Sequence, residues 1–353
     1  MSERILLKGN EALAEAAIRA GCRHFFGYPI TPQTEVAAYM AKQMPKLGGT
    51  YLQAESEVAA INMVYGAASA GVRAMTSSSS PGISLKCEGI SYTAACDLPC
   101  LIVNVQRGGP GLGGIQPAQS DYWQATRAPG HGDLHLLVFV PSTVQEVVDM
   151  VRDAFEMSEK YRVPAMLMAD GMIGQMMEPV ILPEPVDGKS DKPWATCGHQ
   201  NKRPHNITNS LFLLPEQLES TVVERFSRYK QIMDKEQRAE EYRCDDAEYF
   251  LVAFGTTARI AKTAVDALRE RGVKAGLIRP MMIWPFPQKT IDRRAAQAKG
   301  FLSVEMNMGQ MIDDVRLVVN GRCPIELVGR TGGVVPTPAE IIDKALAMAE
   351  GGK

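Results

Sequence analysis

Short apolar runs alternate with helix-type stretches over residues 1–180, and this alternation constrains the fold more than any other feature of the chain. Leu101-Ile102-Val103-Asn104-Val105 lies within a run from Pro99 to Gln106 that reads as a strand buried on both faces, and Leu136 to Val140 repeats the pattern. Asn10 caps a helix running to Gly21, with Leu13, Ala16, Ala17 and Ala20 on one face. His24 to Gly27 is a strand. Thr31 reads as the N-cap of the next helix and Pro32 as its first residue. Tyr51 to Ala54 is a strand, and Ser56 caps a helix from Glu57 to Ala70 that Gly71 closes. Arg73 to Ser77 is a strand whose Ser-Ser-Ser-Pro-Gly continuation turns into another helix. Ser142 caps a long helix to Lys160, and Val163 to Ala169 ends the unit. The pattern predicts a doubly wound parallel sheet covered by helices on both faces.

Residues 181–245 break the alternation. Their first half is rich in Pro, Lys, Asp, Asn and His, and Gln217 to Arg243 is a charged helical stretch with weak apolar periodicity. The segment reads as an excursion that packs on a neighbour rather than as a domain. Over 246–353 the alternation resumes as a smaller α/β domain. Its strands are Phe250 to Phe254, Val273 to Ile278, Phe301 to Glu305 and Ile325 to Val328, with helices from Gly255-Thr256-Thr257, Gly309 and Pro338. The Gly255-Thr256-Thr257 turn either holds an anion or is a plain capping turn.

A net charge of −2 gives no general attraction to nucleic acid or to anionic membrane. The Met-Ser-Glu-Arg-Ile-Leu-Leu-Lys start lacks the apolar core of a signal peptide, and no run approaches the roughly 18 apolar residues of a membrane span. The cytoplasm is the expected location. The 7 cysteines are odd in number and scattered, which argues against a disulfide framework. Cys96 and Cys100 can share a helix face, but two ligands do not make a zinc or iron–sulfur site, so no metal is assigned to this chain. The 19 methionines read as filler of an irregular core and of subunit contacts.

Gly109-Pro110-Gly111-Leu112-Gly113-Gly114 satisfies Gly-x-Gly-x-x-Gly. However, Pro110 sits inside it and no acidic residue ends a second strand about twenty residues on, as a dinucleotide site requires. A flexible loop closing over a ligand fits better, with Arg107 at the strand end before it. Ser77-Ser78-Ser79-Ser80-Pro81-Gly82 lacks the Gly-x-Ser-x-Gly pattern of a nucleophile elbow. Its hydroxyls either bond a polar ligand or partner, or simply cap a helix. Glu57 is similarly open: a carboxylate in a first helical turn is favoured by the macrodipole alone, and a proton-exchanging role needs burial to offset that effect.

Several motifs together resemble one family. They are Tyr28-Pro29-Ile30-Thr31-Pro32, Ala-Glu-Ser-Glu-Val-Ala-Ala-Ile-Asn at 54–62, Tyr-Gly-Ala-Ala-Ser-Ala-Gly at 65–71 and Ser-Pro-Gly-Ile-Ser-Leu at 80–85. Val-Asn-Val-Gln-Arg-Gly-Gly-Pro-Gly-Leu-Gly-Gly at 103–114 and Gln119-Ser120-Asp121 complete the set. Nearly the whole chain resembles the α subunit of the thiamine-diphosphate-dependent 2-oxoacid:ferredoxin oxidoreductases. Within that family it is most similar to subunits acting on branched-chain 2-oxoacids such as 3-methyl-2-oxobutanoate, with those for 2-oxoglutarate close behind.

The resemblance implies an α/β fold of two doubly wound parallel-sheet domains. Residues 1–180 would be a pyrimidine-binding domain and 246–353 a transketolase C-terminal-like domain. It further implies thiamine diphosphate shared with a β subunit, with Mg2+ and the iron–sulfur clusters on partner subunits. The implied partners are that β subunit, a γ or ferredoxin-like subunit, ferredoxin, coenzyme A and a 2-oxoacid, in a dimer of heteromers. No Gly-Asp-Gly for the metal is present; Ala169-Asp170-Gly171 comes nearest. By the same resemblance, Glu57 is the catalytic glutamate on the aminopyrimidine ring nitrogen, and Thr31 and Arg107 bind the substrate carboxylate. Tyr28, Pro29 and Ser80 join Glu57 in binding the cofactor. Glu305-Met306-Asn307-Met308-Gly309-Gln310 is assigned to subunit contact.

Overall fold

The computed structural model describes residues 4–188 and 191–351. The chain opens with β1 (Ile5–Lys8), α1 (Gly9–Arg19), β2 (His24–Gly27), α2 (Thr34–Gln43), β3 (Thr50–Gln53), α3 (Glu57–Ser69), β4 (Ala74–Ser78), α4 (Ser80–Ala95) and β5 (Leu101–Gln106). It continues through α5 (Tyr122–Thr126), β6 (Leu137–Phe139), α6 (Val144–Tyr161), β7 (Ala165–Asp170), α7 (Gly171–Gln175) and β8 (Met177–Val180). After an extended stretch come α8 (Pro215–Lys235), β9 (Ala239–Tyr242), β10 (Tyr249–Val252), α9 (Gly255–Glu270), β11 (Ala275–Pro280), β12 (Met282–Trp284) and α10 (Gln288–Ala295). The chain ends with β13 (Gly300–Glu305), α11 (Met311–Val319), β14 (Ile325–Gly329) and α12 (Pro338–Gly351).

Among the described residues two main sheets form. The first is ordered β3-β2-β4-β5-β7-β6-β12, and every neighbouring pair is parallel except β12 on β6. The second is ordered β14-β13-β10-β11-β9, parallel except for β9. Both are the α/β sheets that the alternation predicts, each with one antiparallel edge. Every residue of β5 and β7 is buried, as expected of central strands covered on both faces. The two sheets exchange edges: β9 comes from the segment read as an excursion, and β12 lies within 246–353 yet pairs with β6 of the first sheet. The sequence hid β9 because its Ala-Glu-Glu-Tyr is half acidic. Its carboxylates are satisfied on the spot, Glu240 by Lys262 and Arg279, and Glu241 by Arg293 and Arg294.

Several local expectations require correction. Asn10 does not cap α1; it lies inside the first turn, and its amide donates 2.8 Å bonds to the Pro32 carbonyl and to Glu35. Thr31 and Pro32 do not start a helix. They belong to a turn joined by a cis peptide, and α2 starts at Thr34 after Gln33. Thr143, not Ser142, caps α6, while Ser142 donates to Glu146 from its amide and hydroxyl. Cys96 ends α4 and Cys100 precedes β5, so they share no helix face. α11 starts at Met311 rather than Gly309, because the Glu305 carboxylate accepts the amides of Gln310, Met311 and Ile312 at 2.8–3.0 Å. The Ser56 cap is as read: its hydroxyl accepts the Ala59 amide at 3.2 Å. Gly71 closes that helix at φ +84°.

The charged stretch at 215–235 packs on the chain's own first sheet domain. Arg225 and Arg228 both reach Asp97, and Tyr229 packs edge-on against His135 and Trp284. Among the described residues, no helix is long and apolar enough to cross a membrane.

Candidate active site

The order β3-β2-β4 in the first sheet contains a topological switch. The chain leaves β2 toward β3, then α3 carries it back across β2 to β4, so a crevice opens at the carboxyl ends of β2 and β4. Open α/β sheets bind ligands at such points. The residues singled out in the sequence leave the sheet around this crevice: Tyr28, Pro29 and Thr31 after β2, Glu57 after β3, Ser80 after β4 and Arg107 after β5.

Glu57 opens α3 and is only 6% exposed. Its carboxylate lies against the start of α4. A Cβ on Gly82 would stand 2.7 Å from Glu57 Oε1 and would collide with the Ser78 hydroxyl. One further glycine on the same face, Gly89, admits Ile61 of α3 equally closely. A glycine seam thus brings α3 onto α4 and sets the carboxylate at the crevice. No protein group among the described residues hydrogen-bonds that carboxylate. Ser78 lies against the same Gly82 position, and its hydroxyl, like those of Thr76 and Ser79 in the same strand and turn, is buried without a hydrogen-bond partner among the described residues. Buried polar atoms of this kind are costly unless something bonds them, so this cluster fits a polar ligand rather than a capping turn alone.

Behind Glu57 lies Lys86, fully buried, with Nζ donating to the Glu57 main-chain carbonyl at 3.3 Å. Burial pushes its ammonium down to about 8, and the Glu57 charge acts in the opposite sense. The sequence reading passed over Lys86 and gave Gly82 no role beyond its place in a motif. Their signal is spacing: Gly82, Lys86, Gly89 and Thr93 repeat at intervals of four and three on the buried face of α4.

The turn after β2 is fixed from below. Gln33, fully buried, donates to the Tyr28 carbonyl at 3.2 Å and accepts the Ser77 hydroxyl at 2.5 Å. Tyr28, Pro29 and Thr31 are thereby held with their side chains exposed. Arg107 is 8% exposed and joins this turn to the glycine-rich loop. Nη1 donates to the Thr31 carbonyl at 2.9 Å and Nη2 to the Leu112 carbonyl at 3.3 Å, while Nε is buried without a partner. Ser80 donates to Asp121 at 2.5 Å and accepts the Arg107 amide at 3.0 Å. Burial raises the Asp121 carboxyl above its usual range, against the opposing pull of the Ser80 and Asn104 hydrogen bonds.

The glycine-rich loop is pinned at its base by Gly108–Gln116 and Gly114–Gly108 main-chain bonds, with Leu112 and Ile115 exposed at its tip. Between this loop, Ser80 and the second sheet domain lies a cavity of about 540 Å3, whose far wall includes Asn307, Met308 and Thr331. The 305–310 motif, read as subunit contact, joins the two sheet domains of this chain. Asn307 donates to the Gln119 carbonyl and Gln310 to the Ser120 carbonyl. The first turn of α9 faces the buried Asp170, whose carboxylate Oδ2 comes within 3.8 Å of where a Gly255 Cβ would stand. The chain itself therefore places a carboxyl group at that turn, and burial raises its pKa against the opposing hydrogen bonds of Thr256, Ile173 and Met172.

Residues 15–243 match the model of the thiamine-diphosphate-binding domain of pyruvate flavodoxin/ferredoxin oxidoreductase, and residues 247–341 match core domain II of pyruvate:ferredoxin oxidoreductase. The chain belongs to the 2-oxoacid:ferredoxin oxidoreductase family. The resemblance read from its motifs is therefore correct, and the protein is an oxidoreductase subunit. It is 45% identical to ketoisovalerate oxidoreductase subunit VorB of Methanothermobacter marburgensis, over 98% of this chain and 97% of that one. It is 36% identical to 2-oxoglutarate synthase subunit KorA of Methanothermobacter thermautotrophicus, over 99% of this chain and 100% of that one. The 2-oxoglutarate:ferredoxin oxidoreductase of Magnetococcus marinus, solved with 2-oxoglutarate, coenzyme A and succinyl-CoA bound, superposes with a TM-score of 0.86 at 28% identity. That match covers 98% of this chain, which spans 65% of the Magnetococcus chain's length. A split-gene transketolase matches with a TM-score of 0.60 at 14% identity, a likeness of fold alone.

Proposed function

We propose that this family member is the α subunit of an enzyme that converts a branched-chain 2-oxoacid, coenzyme A and oxidised ferredoxin into acyl-CoA, carbon dioxide and reduced ferredoxin. The favoured substrate is 3-methyl-2-oxobutanoate. The 45% identity to a ketoisovalerate oxidoreductase subunit, against 36% to a 2-oxoglutarate synthase subunit, supports that choice. A single observation carries the assignment of the site. Glu57 is a buried carboxylate with no hydrogen bond from the described residues, set at the topological switch by the absence of a side chain at Gly82.

Thiamine diphosphate, when bound, supplies the carbanion-forming centre and the electron sink for decarboxylation. The residues of this chain fit its pyrimidine end: a carboxylate able to share a proton with a ring nitrogen, and buried hydroxyls that lack partners. Glu57 Oε1 or Oε2 holds or returns that proton as general acid–base. Tyr28 and Pro29 on the β2 side and Ser80 at the start of α4 would help hold that end. Thr31 offers its hydroxyl to the substrate carboxylate. Arg107 supplies a charge-assisted donor, already braced by the Thr31 and Leu112 carbonyls.

This is half a site. Among the described residues no group of three or more His, Cys, Asp or Glu is gathered to hold a metal ion. The family resemblance, with the lack of a Gly-Asp-Gly here, favours placing the diphosphate and Mg2+ on a β subunit, and the iron–sulfur clusters on β and on a γ or ferredoxin-like subunit. A dimer of such heteromers in the cytoplasm is the proposed assembly. Assembling the chain with its β and γ subunits and assaying ferredoxin or dye reduction with a panel of 2-oxoacids tests this reading. Branched-chain 2-oxoacids should give the highest kcat/KM. A clear preference for 2-oxoglutarate would transfer the assignment to that substrate, and turnover without coenzyme A would contradict it.

A further inference from the structure

Lys86 is a charged side chain with no role in the reading above, and its placement is costly. It is fully buried in α4, and its only hydrogen-bond partner among the described residues is the Glu57 carbonyl at 3.3 Å. Burying an ammonium with so little compensation is unfavourable unless a nearby negative charge repays it. A methionine would fill a similar volume without that cost. The flanking residues do not repay it, since Leu85 and Glu88 are exposed and Cys87 is half-buried. On the facing element, Glu55 is exposed and the buried ionisable residue is Glu57. The Glu57 charge raises the Lys86 ammonium, against the larger lowering effect of burial.

We propose that Lys86 is a positioning residue for Glu57. Its buried ammonium donates to the Glu57 carbonyl at 3.3 Å and so anchors the first turn of α3, which holds the acid group at the crevice from within the same subunit. The inference rests on the role proposed for Glu57. Gly82 and Lys86 are one helical turn apart on α4. The first makes room for the carboxylate and the second holds the turn that carries it, so one face of one helix sets the place of the acid from both sides.

The test uses the assembled complex with Lys86→Met and Lys86→Gln as neutral variants and Lys86→Arg as the charge-conserving one. Two readouts are taken. The first is kcat and KM for the 2-oxoacid. The second, in the complex without thiamine diphosphate, is hydrogen exchange of the first-turn amides of α3 at Ala59 to Ile61. In Lys86→Met and Lys86→Gln, kcat should fall about tenfold or more with KM within about twofold of wild type, and those amides should exchange about tenfold faster, while Lys86→Arg should stay near wild type in both. Unchanged kcat and exchange in whichever neutral variant assembles would overturn the role of Lys86 while leaving that of Glu57 standing. Full activity of Glu57→Gln would instead remove the reading on which the inference rests. A general packing defect would raise exchange throughout the first sheet domain rather than in that turn, and would overturn the positioning role.

Discussion

Glu57 and Gly82 meet across two consecutive helices so closely that a methyl group on Gly82 would lie 2.7 Å from Glu57 Oε1. The carboxylate's position is therefore set by what Gly82 lacks. Gly82→Ala should push Glu57 out of line and lower kcat of the assembled enzyme at least about tenfold. The accompanying overpacking should cost about 1–3 kcal/mol of stability. Steady-state kinetics with a parallel thermal melt checks this, and an unchanged kcat would show that the carboxylate need not sit where it does.

Arg107 ties the Thr31 turn to the glycine-rich loop through two carbonyls, yet its Nε has no partner. A lysine keeps the charge and loses the planar fork. Arg107→Lys should raise KM for the 2-oxoacid about tenfold to a hundredfold, the equivalent of a charge-assisted hydrogen bond of about 1.5–3 kcal/mol. The rise should be accompanied by a smaller change in kcat. An unchanged KM would remove Arg107 from substrate binding.

Burial pushes Lys86 from 10.5 down to about 8 in the folded chain. A folded-state value below the unfolded one means that the unfolded chain binds more protons between those limits, so this residue's contribution to stability grows as pH rises through that window. Relative to Lys86→Met, the wild-type chain should gain stability from about pH 8 to about pH 10.5, by at most about 3.5 kcal/mol at roughly 1.4 kcal/mol per unit. Denaturant titrations of both proteins across that range check it, and a flat difference would contradict it.

Glu305 is fully buried and accepts the amides of Gln310, Met311 and Ile312 together with the Ser303 hydroxyl. Glu305→Gln replaces one accepting oxygen with a donor that faces amide donors. It should cost about 2–4 kcal/mol and loosen α11, which reaches the first sheet domain through the Asp314–Tyr122 bond. Differential scanning calorimetry would detect the loss.

Much of this arrangement is legible in the residues. The central strands declare themselves as β-branched and leucine-rich runs, and the Ser56 cap places Glu57 in a first turn. The less legible parts depend on distant partners. Thr31-Pro32 carries every local mark of a helix start, yet Asn10 of the first helix takes the Pro32 carbonyl and Gln33 holds the turn to Ser77, so the helix begins later. β9 is hidden because its alternation is made of glutamates satisfied by arginines and a lysine from other elements. The burial of Glu57 requires Gly82 from a segment 25 residues on, and no local pattern around Glu57 announces it.

The central claim is that this chain contributes an acid group which exchanges a proton with the pyrimidine ring of a cofactor whose phosphate end is held elsewhere. The most direct test is the turnover number of the assembled complex carrying Glu57→Gln, saturated with thiamine diphosphate, magnesium and substrate. Loss of a general acid–base should lower it about a hundredfold to ten-thousandfold, with the complex still assembled. A turnover number within about twofold of wild type would contradict the account.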